Sequence, residues 1–310
     1  MITPAQASGS DMPSRTEFEQ RFRTWAQGPS DSETARGENA KRIITDCMRD
    51  AGILDKYQLD IFPQGSFPNR TNIPQESDVD VAVRCMRSAY LDLPAGTKQE
   101  DYGFSDGTLR YVDLKNDVGK ALSACFGAEA SRGKKCFTIR SNSYRLDADV
   151  TPSFEHRRYY DTSDKRRYYS GCQFFSDSGE KIINWPRQHI ENGINKNDAT
   201  KRRFKRLTRI LKRLQFALIE LGTLKEKIIP SYAVECAVFN VPDDHFRDES
   251  YWNSVQRVLA LIFNSTVTDD RCADWVEVNG MKWMFRGSKP WTRQQVHQFV
   301  SLGWNHIGYQ

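Results

Sequence analysis

The segment that most constrains this fold is residues 77–83, SDVDVAV, in which two aspartates open a short apolar run. Alternating polar and apolar residues are typical of a β-strand, whose successive side chains point to opposite faces. Asp78 and Asp80 therefore lie on one face of the predicted strand, about 7 Å apart. Two carboxylates so placed repel each other unless water solvates them or a cation lies between them. The pattern alone is compatible with either environment.

A Gly-Ser pair, Gly65-Ser66, precedes this strand and follows residues 57–63, which predict another short strand. The polar residues after the pair predict the start of a helix, because Pro68 suits a first helical turn. Backbone N–H groups at such a turn bind phosphate, and a serine hydroxyl adds a donor. A phosphate site beside an acidic pair is what a Mg²⁺–nucleotide complex requires, since Mg²⁺ binds a few carboxylates together with phosphate oxygens.

Further carboxylates occur in residues 144–154, where Asp147 and Asp149 share one face of a predicted strand. Two metal ions about 4 Å apart can activate an attacking hydroxyl and stabilise the leaving pyrophosphate, a task that takes about three carboxylates. On spacing alone either aspartate can complete the set, and either can instead be a solvated strand residue. Together with the Gly-Ser pair, these carboxylates predict a two-metal nucleotide site.

The chain divides into an α+β region, residues 1–185, and an α-helical region, residues 186–310, with the change at Trp185-Pro186. Residues 1 to about 15 predict a loose terminus. The predicted helices are 36–52, about 107–126 and one long helix over 197–222. The predicted strands are 57–63, 77–84, 135–141 and 144–154, and residues 166–180 predict a further strand and a turn.

Composition excludes several classes of protein. A net charge of +5 is too weakly basic to indicate nucleic-acid binding, but it is compatible with anionic ligands. The sequence has neither an apolar run of membrane-spanning length nor an apolar signal core at its N-terminus, which predicts a cytoplasmic protein with no membrane contact. Seven cysteines without a CxxC pair argue against a disulfide framework and a cysteine zinc site. Any metal is therefore predicted to be held by oxygen.

The predicted long helix is strongly basic. Residues 201–213 contain eight lysines and arginines, and Lys205, Arg209 and Lys212 follow one flank of its apolar stripe. This flank is compatible with a solvated basic face or with a cationic surface for triphosphates.

The order of these segments resembles the polymerase β-like nucleotidyltransferase superfamily, marked by Gly-Ser, then Asp-x-Asp, then a distant Asp. More closely, it resembles the cGAS/DncV-like nucleotidyltransferases, relatives of oligoadenylate synthase. Residues 64–83 are similar to the family's GS-x-x-x-x-T-x-I…S-D-V-D segment, including Thr71 and Ile73. In LDADVTPSF the family's Asp is followed three residues later by Pro, which selects Asp149 over Asp147 as the third carboxylate.

The resemblance continues into the helical region and covers roughly residues 60–242. The stretch from Trp185 to Leu214 resembles the segment that enters this region, and residues 229–242 resemble the family's S-Y-x-x-E helix. The resemblance implies a bilobed nucleotidyltransferase fold, with a mixed β-sheet palm, a helical C-terminal half and an active site in the cleft between them.

The resemblance also implies residue roles. Asp78, Asp80 and Asp149 would be catalytic residues and ligands of two Mg²⁺ ions, with Mn²⁺ as the alternative. Tyr232 would stack on a base, which is worth about 1–3 kcal/mol, although a core-packing tyrosine is equally compatible with its position. The remaining expected nucleotide-binding residues are Gln64, Gly65, Ser66, Arg209, Lys212 and Ser231.

The implied function is the joining of nucleoside triphosphates into a cyclic di- or trinucleotide second messenger with release of pyrophosphate. In bacteria such enzymes serve anti-phage (CBASS-type) signalling, so a cyclic-nucleotide-sensing effector is an expected indirect partner. The chain is expected to be a monomer. It lacks the Cys/His zinc insertion of animal DNA sensors, so activation by DNA is not expected.

Two alternatives remain compatible with the same residues. One is a different enzyme of the superfamily: a linear oligonucleotide synthase, a terminal transferase acting on RNA, or a nucleotidyltransferase that modifies a protein. The other is a non-catalytic nucleotide- or RNA-binding module on this fold, against which the retention of all three carboxylates argues.

Overall fold

The computed structural model describes residues 13–73, 78–161, 164 and 166–309, and within them the chain forms two compact units. The sheet unit comprises Gly28–Asn195 and Val278–Lys282, and the helical unit comprises the described residues up to Gln27, Lys196–Glu277 and the chain from Trp283 onward. The compact units part after Asn195, ten residues beyond the domain division predicted at residue 185. That division stays a prediction.

A seven-stranded mixed sheet forms the centre of the sheet unit, with strand order β1-β2-β5-β4-β3. Strands β2 and β5 are parallel, the other pairs are antiparallel, and β6 and β7 extend the sheet from the far half of β5. The strands are β1 (Leu59–Gln64), β2 (Val79–Asp92), β3 (Ala130–Arg132), β4 (Phe137–Ile139), β5 (Ala148–Tyr159), β6 (Tyr168–Phe175) and β7 (Lys181–Asn184).

The two faces of this sheet differ because side chains alternate along each strand. Val79, Val81 and Val83 of β2 are fully buried in the apolar core on one face. Asp80 of β2 and Asp149 of β5 lie on the opposite face and are half-buried. The aspartates therefore stand on the polar face of a sheet whose other face is core.

The helices are α1 (Arg15–Trp25), α2 (Asp31–Asp50), α3 (Ile53–Tyr57), α4 (Tyr111–Phe126), α5 (Pro186–Ala199), α6 (Arg203–Glu220), α7 (Ser231–Phe239), α8 (Tyr251–Ser265) and α9 (Arg293–Ile307). Ser14 caps α1 in a capping box, and Phe18 and Phe22 of α1 are fully buried. Of the residues predicted as a loose terminus, 1–12 lie outside the described residues, while Ser14 and Arg15 belong to the cap and first turn of α1. None of the helices described is long and apolar enough to cross a membrane.

The prediction of one helix over residues 197–222 is wrong, because the helix is interrupted between α5 and α6. Lys201 and Arg202 adopt left-handed backbone conformations, with φ of 50° and 64°. The break is stabilised by capping: the Phe204 N–H donates to Thr200 Oγ1 at 3.0 Å, and the Lys205 N–H donates to Asn197 Oδ1 at 3.2 Å. The apolar stripe is periodic on both sides of the break, so periodicity alone does not reveal it.

Within the described residues, the structure also contains a single disulfide, between Cys47 and Cys125, which the cysteine pattern did not predict. Helices α2 and α4 bring the two Cα atoms within 6.0 Å, although 78 residues separate them in the chain. A single link between distant helices leaves no spacing signature in the sequence.

Candidate active site

Three of the predicted site residues meet where the parallel strands β2 and β5 begin. The strand register places Asp80 directly beside Asp149, and Asp78 precedes β2. Partial desolvation raises the pKa of Asp78, and the negative charges of Asp149 and Asp147 raise it further. The sheet thus holds carboxylates close enough to disfavour ionisation of one of them.

Hydrogen bonding distinguishes Asp149 from Asp147. Thr138, the β4 residue opposite Asp149, donates its hydroxyl to Asp149 Oδ1 at 2.7 Å. The carboxylate of Asp147, just before β5, accepts a hydrogen bond from the backbone N–H of Ser141. Asp149 is therefore oriented beside Asp80, while Asp147 is bonded to the neighbouring loop.

A cysteine that the sequence analysis did not select lies against these carboxylates. Cys136 is half-buried, and burial together with the charges of Asp149 and Asp80 raises the pKa of its thiol to about 11. At neutral pH it is therefore a neutral neighbour of the carboxylates and not a competing thiolate. The pairing of β4 with β5 places Cys136 beside these carboxylates, and nothing in the spacing of the cysteines predicts that position.

The donor chemistry of this site suits a hard divalent cation, because its polar groups are carboxylate oxygens that repel one another. Within the described ranges, His, Cys, Asp and Glu side chains form no group of three already arranged around a metal position. The oxygen donors present are nevertheless those that Mg²⁺ and Mn²⁺ prefer.

The Gly-Ser segment packs against the same carboxylates. Gly65 has φ of +72°, and a Cβ atom there would lie 2.6 Å from Asp80 Oδ2. Gln64, the buried last residue of β1, is the register partner of Asp80. Glycine at position 65 thus permits both the left-handed turn and the close approach to Asp80.

The helix predicted after the Gly-Ser pair is replaced, in the residues described, by a series of turns. The Thr71 N–H donates to the Ser66 carbonyl at 3.0 Å, and the Arg70 N–H donates to the Phe67 carbonyl at 3.0 Å. Arg70 itself has φ of 52°, which ends any helical run. Pro68 fits these turns as well as it fits a first helical turn, so its presence does not distinguish a helix from a series of turns.

In the helical unit, Lys212 of α6 forms a buried ion pair with Glu235 of α7, with 2.7 Å between Nζ and Oε2. Ser231, the first residue of α7, is exposed, and the adjacent Tyr232 donates its hydroxyl to Glu277 Oε2 at 3.3 Å. Burial raises the pKa of Tyr232 well above its usual value. The ion pair with Glu235 therefore connects Lys212 of α6 to α7. Glu235 is the final residue of the S-Y-x-x-E motif, but it was not among the predicted site residues.

Arg209 is placed differently from the other predicted phosphate ligands. Its side chain is buried, and Nε donates to the backbone carbonyl of Ala26 at 3.0 Å. Ala26 is the C-cap of α1, where the carbonyls carry partial negative charge. The guanidinium thus stabilises the end of α1, and the predicted phosphate contact of Arg209 stays a prediction.

A mixed sheet with paired carboxylates on adjacent parallel strands, preceded by a Gly-Ser turn, defines the palm of a nucleotidyltransferase. Residues 191–308 match the family model described as the cGAS/DncV-like nucleotidyltransferase C-terminal helical domain. A cyclic dipyrimidine nucleotide synthase CdnE from Cecembia lonarensis is 36% identical, over 94% of this chain and 98% of its own length. A synthase of the same name from Legionella pneumophila is 37% identical, over 94% of this chain and 98% of its own length.

Solved structures agree. The Elizabethkingia meningoseptica CdnE cyclic dinucleotide synthase, determined with GTP and Apcpp, is 32% identical, with a TM-score of 0.78 over 94% of this chain and 99% of that chain. The chain belongs to the cGAS/DncV-like nucleotidyltransferase family. It is a nucleotidyltransferase of the cyclic nucleotide synthase type, and this confirms the predicted family, α+β fold class and enzyme class.

Proposed function

We propose that this protein joins nucleoside triphosphates into a cyclic di- or trinucleotide at a site built on Asp78, Asp80 and Asp149. The observation that carries the proposal is the β2–β5 register, which sets Asp80 beside Asp149, where burial and the charge of Asp149 raise the pKa of Asp78. Like charges collected on one sheet edge are relieved when a cation binds among them.

Two Mg²⁺ ions, or Mn²⁺ in their place, would be held by these three carboxylates and would supply Lewis-acid activation of the attacking hydroxyl and charge neutralisation of pyrophosphate. Asp149, the register partner of Asp80, is kept in position by the Thr138 hydroxyl. Asp149 lies beside the attacking hydroxyl and assists the deprotonation of that hydroxyl. The Gly65-Ser66 turn, in contact with Asp80, contributes backbone and hydroxyl donors to the phosphates.

The helical unit contributes the remaining nucleotide contacts. Lys212 supplies positive charge to the triphosphate, and Ser231 supplies a hydroxyl at the N-terminus of α7, where backbone N–H groups favour anions. Tyr232 stacks on a base. Gln64 and Arg209 complete the set of proposed nucleotide-binding residues, with Arg209 the least supported because it is bonded to α1.

Ring closure requires the same site to act at least twice, so the linear intermediate must turn in the pocket between steps. Relatives carry different product names, among them cyclic dipyrimidine and cyclic dipurine synthases. We extend the proposal to a monomeric cytoplasmic enzyme whose product activates a cyclic-nucleotide-sensing effector in anti-phage signalling.

The test is incubation of the purified protein with all four nucleoside triphosphates and either Mg²⁺ or Mn²⁺, followed by phosphatase treatment and mass spectrometry. A phosphatase-resistant product with the mass of a cyclic di- or trinucleotide is expected. Products that phosphatase degrades would indicate a linear oligonucleotide synthase, and label transferred to added RNA or protein would indicate a different acceptor. Nucleotide binding without any product would indicate a non-catalytic module.

A further inference from the structure

The ion pair between Lys212 and Glu235 is the most deeply buried one described in the helical unit. The two side chains are 2% and 1% exposed, and Nζ lies 2.7 Å from Oε2. By contrast, the pair between Lys196 and Asp243 in the same unit is 14% and 42% exposed. Both side chains of the Lys212–Glu235 pair are thus almost fully enclosed by protein.

Such a pair needs an explanation other than stability. Removing two charges from water is costly, and well-packed apolar residues of similar volume are often at least as stabilising. Leu211, which precedes Lys212 in α6, and Leu214, two residues after it, are fully buried and apolar. An apolar pair at positions 212 and 235 would therefore suit the surrounding core.

The location of Glu235 on α7 connects the pair to the start of that helix, where the proposed phosphate contact of Ser231 lies. Ser231 and Glu235 are four residues apart and so lie about one turn apart on α7. The Lys212 ammonium, bonded to Glu235, is therefore attached about one turn from the Ser231 hydroxyl and the positive end of the helix dipole.

We propose that Glu235 is a positioning residue that holds the Lys212 ammonium for a nucleotide triphosphate. This inference rests on the proposed function, in which Lys212 contacts phosphate. The Glu235 carboxylate accepts one of the three ammonium hydrogens and fixes the nitrogen on α6. The negative charge of Glu235 also offsets the free-energy cost of desolvating the buried ammonium.

The test compares the affinity for a non-hydrolysable triphosphate analogue with that for the matching nucleoside monophosphate, using adenosine and uridine compounds and isothermal titration. Glu235→Gln should bind the triphosphate analogue about tenfold more weakly, as expected for weakening one charge-assisted contact. Its affinity for the monophosphate should be unchanged. In a Lys212→Gln background, Glu235→Gln should have no further effect.

Two variants keep this test decisive. Glu235→Asp retains the buried charge but withdraws its oxygens, so it should fold even if Glu235→Gln does not, and it should show the same triphosphate-specific loss. Asp243→Asn, which removes the partner of Lys196, is the matched control and should leave both affinities unchanged.

The outcomes separate this inference from the proposed function. Equal weakening of both ligands, or unchanged triphosphate affinity in both Glu235 variants, would show that Glu235 only supports the fold. Unchanged triphosphate affinity in Lys212→Gln would remove Lys212 from the phosphate site and overturn this inference with it. A triphosphate-specific loss in a protein that makes no cyclic product would uphold Glu235 and refute the proposed reaction.

Discussion

Replacement of Gly65 by alanine should abolish most synthesis, with a stability loss limited to the backbone cost of a left-handed residue. The added Cβ would lie 2.6 Å from Asp80 Oδ2, whereas ordinary van der Waals contact begins at 3.4 Å, so the carboxylate oxygen must retreat by about 0.8 Å. Displacing a catalytic group by about 1 Å can cost about 100-fold in rate. We therefore expect kcat/KM for Gly65→Ala to fall by about 100-fold.

The backbone cost of this substitution can be measured separately. Gly65 has φ of +72°, and a non-glycine residue in the left-handed region costs about 1–2 kcal/mol. Gly52, at the start of α3 in the same unit, has φ of +68°, and a Cβ added there would meet no atom within 4 Å. Gly52→Ala should therefore lose a similar free energy of unfolding, measured in urea, and keep its synthase activity.

The assay is steady-state pyrophosphate release by the wild type, Gly65→Ala and Gly52→Ala, alongside urea unfolding of each. If the two variants lost equal activity at equal stability, the contact between position 65 and Asp80 would have no catalytic consequence. If Gly65→Ala retained full activity, the placement of Asp80 in the site would be refuted.

Three further predictions concern residues of the proposed site. Asp78→Asn combined with Asp80→Asn should abolish product formation without lowering the free energy of unfolding, because the raised pKa of Asp78 shows that its charged form is disfavoured; full product yield by mass spectrometry would contradict the two-metal site. Asp149→Ala should be inactive and Asp147→Ala much less affected, because only Asp149 is the register partner of Asp80; inactivity of Asp147→Ala alone in the same assay would reverse the assignment. Tyr232→Ala should raise KM by roughly 5- to 150-fold, from loss of about 1–3 kcal/mol of stacking, and lower kcat somewhat, whereas Tyr232→Phe should be mild; kinetics showing equal damage in both would mean that the hydroxyl matters and the ring does not stack.

Local pattern was sufficient for part of the fold. Alternation along residues 77–83 predicted a strand with Asp78 and Asp80 on one face; β2 begins at Val79, so Asp80 lies in the strand and Asp78 precedes it. The periodic stripe of α6 was also predicted, although its N-terminal boundary was wrong. Capping by Thr200 and the left-handed residues before α6 ended the preceding helix, and neither changes the hydrophobic period.

The basic flank of α6 shows what a local pattern leaves open. The family resemblance selected Lys212 on this flank, and the same flank contains Arg209, which bonds the end of α1. Whether a basic residue beside an apolar stripe faces a ligand, a carboxylate or a carbonyl depends on the helix that packs there. Glu235 was not selected for the same reason, since its pairing with Lys212 depends on α7 packing against α6.

Local sequence was enough to identify the family, from the Gly-Ser pair, the Asp-x-Asp strand and a third acidic strand in that order. These are local signals, set by side-chain alternation and by the backbone freedom of glycine. Only the tertiary structure decided which carboxylates meet, because the pairing of Asp80 with Asp149 depends on the register of two strands that are distant in the chain. The closeness of Gly65 to Asp80, the disulfide from Cys47 and the burial of the Lys212–Glu235 pair depend likewise on packing between distant segments, which no local pattern encodes.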